Sequence, residues 1–312
     1  MRKEKPNEKS SKLGWAAVLM TLLVSILTVP SSAITYLPDN VMATVEKVLP
    51  HIILPLVSMG LAVMIAHACY LLGWKNAAKF FGFGYVIAWI FEEISVHTGL
   101  IFGLYYFPPM MGAKLDVIPF EVPMFWIMCF YISWYITNLI LDNSPIPTNW
   151  STGRIIAGAL IGGGILTTLD LSTDPFATAN GFWVWPNGGT FFHEPIHNFV
   201  GWWVTGAITF IIHGLILRRD NDREPIVLGT KAKRLWTVVP ALVYAFMCIG
   251  FTAMNVHESL GVPTALAMGI PALAALWKWI NWYRDAEAGP DEYTLPEGYG
   301  YVFEPDFQDK EE

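Results

Sequence analysis

The sequence predicts an all-α, polytopic transmembrane helix bundle of about eight spans, and three observations carry that expectation. The chain is 54% hydrophobic and only 14% charged, where a soluble domain carries about 25% charged residues. Its mean hydropathy is +0.43. Its apolar residues fall into runs of the length that a helix needs to cross a bilayer, about 20 residues. Its cations gather in every second connection between those runs, as cytoplasmic loops do.

The runs follow in order. A basic stretch, 1–13, precedes the first, 14–34. Because Ser31, Ser32 and Ala33 end that run with small residues, it also resembles a secretory signal, and its removal would leave seven spans. The second and third runs are 52–72 and 80–104, the third long enough to tilt or to continue past the bilayer. Then come 122–141, a short fifth run at 155–171, and 196–217, 235–254 and 263–282. With the N-terminus inside, the segments 1–13, 73–79, 142–154 and 218–234 and the C-terminal end are cytoplasmic, and Lys47 and Lys114 are the two cations left outside. Three parts result: a basic cytoplasmic N-terminus (1–13), a transmembrane helical domain (14–284) and an acidic cytoplasmic tail (285–312). The tail has no apolar period and reads as disordered. Both termini are placed in the cytoplasm, and the protein in the cell membrane.

Glycines at 99 and 103 and at 158, 162, 163 and 164 read as seams where helices approach closely in lipid. Cys69, Cys129 and Cys248 lie on separate apolar runs and read as small buried hydrophobes, with no disulfide framework or CxxC pair. No basic stripe with interleaved aromatics is present, so a nucleic-acid partner is not expected. The partners expected are membrane lipid and a lipid-soluble substrate.

Ionisable groups inside lipid are costly and mark functional sites. Glu92 and Glu93 lie in the third run, and Asp170 and Asp174 end the fifth. His193, Glu194, His197 and Asn198 open the sixth, while Asn255, His257 and Glu258 close the seventh. The topology gathers these helix ends toward the non-cytoplasmic side, where they would share one polar pocket. Burial disfavours a charged carboxylate, and a helix C-terminus, where this reading puts Asp170, disfavours negative charge as well. A carboxyl held so is suited to general-acid work. The competing reading is a satisfied polar network that merely joins helices. His51, His67 and His213 read as structural.

His193-Glu194-Pro195-Ile196-His197 matches the H-E-x-x-H zinc pattern of metalloproteases. Pro195, however, belongs in the first turn of a helix. That leaves His193 ahead of the helix, and the two imidazoles need not share a face. An intramembrane metalloprotease holding zinc on His193 and His197 is therefore the alternative function, and a transporter or pigment-binding protein a further one. Phe182, Trp183, Trp185, Phe191, Phe192, Phe199, Trp202 and Trp203 suit an interfacial belt, or a pocket whose ring faces stabilise a transient cation.

Two segments resemble the membrane carotenoid hydratases of the gamma-carotene and bisanhydrobacterioruberin hydratase types. The first is Glu92-Glu93-Ile94-Ser95-Val96-His97-Thr98-Gly99 with Phe102, Gly103 and Tyr105, continued by Pro119, Pro123 and Trp126. The second holds Asp170, Asp174-Pro175, Gly181-Phe182-Trp183-Val184-Trp185, Pro195 and Asn198-Phe199-Val200-Gly201-Trp202. Ser95, Phe107 and the pair His193-Glu194 depart from that pattern. The resemblance implies carotenoid biosynthesis: addition of water to the terminal isoprenoid double bond of an acyclic carotenoid end, giving a tertiary alcohol. It implies no cofactor and no metal, and it suggests other carotenoid-pathway enzymes as partners. Asp170 or Asp174 would be the acid, with Glu92 a second donor or the group that positions water. Asn198 would orient water; Trp183, Trp185 and Trp202 would line the end-group pocket, with Glu93 and His197 beside it.

Overall fold

The computed structural model describes residues 57–219, 226–227, 235–253, 258–288 and 301–302. The first apolar run, His51, Asn255, His257, the side chain of Glu258 and most of the acidic tail lie outside the described residues. Within them the chain is helical: α1 (Val57–Leu72), α2 (Trp74–Thr98), α3 (Glu121–Asp142), α4 (Thr152–Ala179), α5 (Ile196–Arg219), α6 (Val239–Ala253) and α7 (Gly261–Ala288). By length and composition α3, α4 and α5 are able to cross a membrane, which fits a membrane protein.

The middle of the bundle is α3. It is apolar on every side and buried along nearly its whole length, as a helix surrounded by other helices must be. It packs against α2, α4, α5, α6 and α7. Two of its tyrosines bond to neighbouring segments: Tyr131 Oη lies 2.7 Å from His67 Nδ1 on α1, and the Tyr135 hydroxyl donates to the Thr237 carbonyl. His213 on α5 is likewise buried, edge-on to Phe80 at 4.1 Å between ring centres. Both histidines therefore sit in the core, as read.

The α4–α5 contact is close because glycines face it. A Cβ on Gly163 would come within 2.7 Å of the Trp203 carbonyl oxygen, and one on Gly206 within 3.1 Å of Gly163 Cα. Gly164, by contrast, faces open space. At the far end of the bundle from the carboxylates, Arg154 Nη2 lies 2.6 Å from Asp142 Oδ2 and also donates to Asn138 Oδ1 at 3.0 Å. This pair ties the end of α3 to the start of α4, whose N-terminus is capped by Ser151.

Two boundaries beside the carboxylates differ from the expectation. The third run ends as a helix at Thr98, not at 104, because Gly99 takes a left-handed conformation (φ 70°) and its N–H closes on the Ser95 carbonyl. The apolar residues that follow form a loop laid back across the bundle. The fifth run continues past 171 to Ala179, passing through Pro175. Asp170 is therefore interior to α4 and not at its C-terminus, which removes the dipole contribution expected for it. Two short strands, β1 (Lys114–Leu115) and β2 (Ile118–Pro119), pair antiparallel ahead of α3. A parallel two-residue pair also joins 226–227 to 301–302.

Candidate active site

Four helices and two loops converge at the end of the bundle where α2 and α4 finish and α3 and α5 begin. The loop after α2 is held by Ser95, whose buried hydroxyl accepts from Phe102 N–H at 2.7 Å and donates to the Gly103 carbonyl at 3.1 Å. Gly103 (φ 96°) leaves no room for a Cβ, which would meet Pro195 at 2.8 Å. Tyr106 and Val184 exchange backbone hydrogen bonds of 3.1 and 3.0 Å, and Trp185 Nε1 donates to the Phe102 carbonyl at 3.2 Å. The loop after α2 and the loop after α4 thus form one layer over the helix ends.

Beneath this layer is a largely apolar cavity of about 330 Å³. Its walls are largely aromatic: Trp126 and Trp202 stack with ring centres 3.8 Å apart, and Phe102, Phe107, Trp183 and Trp185 are among the other rings that line it. Its polar lining includes Glu92, Tyr105, Asp174 and Asn198. Both oxygens of Glu92 accept hydrogen bonds, one from the Tyr105 hydroxyl and the other from Trp126 Nε1 at 2.6 Å. Asn198 on α5 spends its amide on α4, donating to Asp174 Oδ2 at 2.7 Å and to Asp170 Oδ2 at 3.0 Å. One turn of α4 separates the two aspartates, so a single amide reaches both. Asp170 is wholly buried and does not line the cavity; it sits behind Asp174.

The structure thus gathers Glu92, Asp174, Asn198, Trp183, Trp185 and Trp202 on one cavity, with Asp170 behind. It places Glu93, His193 and His197 outside it. Glu93 turns away, its Oε2 3.1 Å from His97 Nε2, and Asp116 Oδ2 at the β1–β2 turn reaches the same nitrogen at 3.1 Å. Among the described residues these three have the spacing to hold a metal ion, their ligand atoms lying within 4.8 Å of one another. The i,i+4 spacing of Glu93 and His97 was a visible signal; Asp116 was not.

The H-E-x-x-H segment is a tight turn. Phe191 and Glu194 bond backbone to backbone in both directions, at 3.1 and 2.8 Å, and the two residues between them, Phe192 and His193, both have positive φ (49° and 72°). This leaves His193 exposed at the tip and buries Glu194, whose Oε1 accepts from the Thr178 hydroxyl at 3.2 Å. His197 is exposed in the first turn of α5. Burial, and after it the neighbouring Asp174 carboxylate, hold the Glu194 carboxyl well above the usual carboxylate range. Site members that reading by residue type did not single out are Tyr105, Trp126 and Thr178; Glu194, named there with the ionisable groups, turns inward.

Residues 52–274 match the family described as carotenoid biosynthesis protein. Bisanhydrobacterioruberin hydratase of Haloarcula japonica is 25% identical over 122 residues, which cover 39% of this chain and 39% of that protein. The match therefore spans well under half of that relative. No solved structure matches the chain. Since the family match takes in well over half of its residues, the chain belongs to the carotenoid biosynthesis protein family.

Proposed function

We propose that the protein hydrates the terminal isoprenoid double bond of an acyclic carotenoid end by acid catalysis, giving a tertiary alcohol. The observation that carries this reading is the pairing of two buried carboxyls, Asp170 and Asp174, through one amide at the wall of an aromatic cavity, with a third carboxyl, Glu92, on the same cavity. The similarity to a hydratase of Haloarcula japonica supports it.

Two carboxyl groups this close repel when both are charged, so the pair is best balanced sharing one proton. Asp174, the member that lines the cavity, gives that proton to the less substituted alkene carbon. The O–H bond breaks, a C–H bond forms, and the tertiary carbon becomes a cation. Aromatic rings of the cavity wall, Trp183 and Trp185 among them, would stabilise such a cation. Water oriented by Asn198 adds to it and loses a proton to Glu92, whose two accepted hydrogen bonds are the pattern of a carboxylate. The polyene enters from lipid and water from the non-cytoplasmic side.

The test is expression in a bacterial host making acyclic and monocyclic carotenoids, with mass analysis of the pigments. The expected outcome is a product heavier by one water per modified end, absent in Asp170→Asn and Asp174→Asn variants. Product formed at an undiminished rate with both aspartates replaced overturns the assignment.

A further inference from the structure

Glu194 is a carboxyl the mechanism above does not use. It is 0% exposed and does not line the cavity, and among the described residues its Oε2 has no hydrogen-bond partner; the same is true of Asp170 Oδ1. A buried carboxyl oxygen without a donor is costly unless it carries a proton or meets water. Asp170, Asp174 and Thr178 follow one another at one-turn spacing along α4 and so share a face. Burial falls along that face, from 0% exposed at Asp170 and 2% at Asp174 to half-buried at Thr178, and Asn180 just beyond is exposed. On the facing segment Glu194 and Asn198 are also four apart; Asn198 bonds the two aspartates and Glu194 bonds Thr178.

We propose that Glu194 resupplies the proton that Asp174 spends, as the last member of a polar file Asp174–Thr178–Glu194 running from the cavity toward the aqueous face. The inference rests on the hydration reading. After Asp174 has given its proton to carbon, the Thr178 hydroxyl, which donates to Glu194 at rest, turns to Asp174 and passes its proton to that carboxylate while its oxygen takes the proton of Glu194. Glu194, itself buried, regains a proton from water entering past the half-buried Thr178 at the exposed end of α4, while the proton taken up by Glu92 returns to water through the cavity. Over a turnover one proton enters and one leaves. Glu194 touches neither substrate nor reacting carbon; it acts through Asp174.

The test uses the full-length protein in liposomes with an acyclic carotenoid substrate. Glu194→Gln keeps an acceptor for Thr178, so its melting temperature should match the wild type. Its kcat should fall at least tenfold with KM unchanged and with a larger solvent deuterium isotope effect. Added formate should restore part of the rate of Glu194→Ala. If the wild type hydrates its substrate and Glu194→Gln keeps its kcat, or loses only KM, the resupply role is overturned and hydration stands. A wild type that yields no hydrated product overturns the hydration reading, and this one with it.

Discussion

Trp126 is held on two sides at once: its Nε1 donates to Glu92 and its ring stacks on Trp202. Trp126→Phe would keep most of the ring contact and remove the N–H. Glu92, only 4% exposed, would then lack a donor on one oxygen. A buried acceptor stranded in this way costs about 1–3 kcal/mol. Thermal unfolding in detergent should show that loss for Trp126→Phe and a smaller one for the double variant with Glu92→Gln, since an amide tolerates a missing donor better than a charge does. If both variants melt with the wild type, the bond contributes nothing to stability.

At the scale of helices, the α4–α5 seam offers an internal comparison. Gly163→Ala would drive a methyl toward the Trp203 carbonyl, a backbone atom that cannot swing aside. Overpacking of this kind costs about 1–3 kcal/mol. Gly164→Ala, one residue along and facing open space, should be neutral or slightly stabilising, because alanine favours the helix. Equal melting temperatures for the two would show that the seam is not tightly packed. Hydropathy made the helices themselves legible: the runs 122–141 and 196–217 are α3 and α5 to within two residues at each end. It failed where polarity and burial part company. Asp170 and Asp174 stop an apolar count, but both are buried and share the Asn198 amide, and α4 runs on to Ala179. Leu100 and Leu104 extend the count, but Gly99 has already ended α2. In the site, carboxyls stand out because charge is rare in such a chain. Tyr105 and Trp126 do not, since a hydroxyl or indole N–H among 14 tryptophans and 12 tyrosines gives no pattern to find. The inward turn of Glu194 depends on positive φ at Phe192 and His193, which residue type does not announce.

For the whole molecule the question is which end faces out, and α4 supplies the ruler. Its 28 residues make a rod of about 42 Å at ~1.5 Å per residue, longer than the ~30 Å hydrocarbon core. If α4 spans, the loop before it and the loop after it must lie on opposite sides. The distribution of Lys and Arg leads us to expect the first, with Arg154 nearby, in the cytoplasm. The carboxylate cavity would then open toward the other side, where water would reach it and where Glu194 would meet its proton source. Asn149 and Asn187 are exposed on the two loops, and the native thiols are poor targets, Cys129 and Cys248 being buried and Cys69 half-buried. With Cys69 replaced by alanine, a membrane-impermeant thiol reagent should label Asn187→Cys on intact cells and Asn149→Cys only after permeabilisation. The reverse pattern would turn the bundle over and bring the water supply, and the proton for Asp174, from the cytoplasm. Labelling of both on intact cells would mean that α4 does not cross at all, and the separation of a lipid-facing substrate entry from an aqueous proton entry would lose its physical basis.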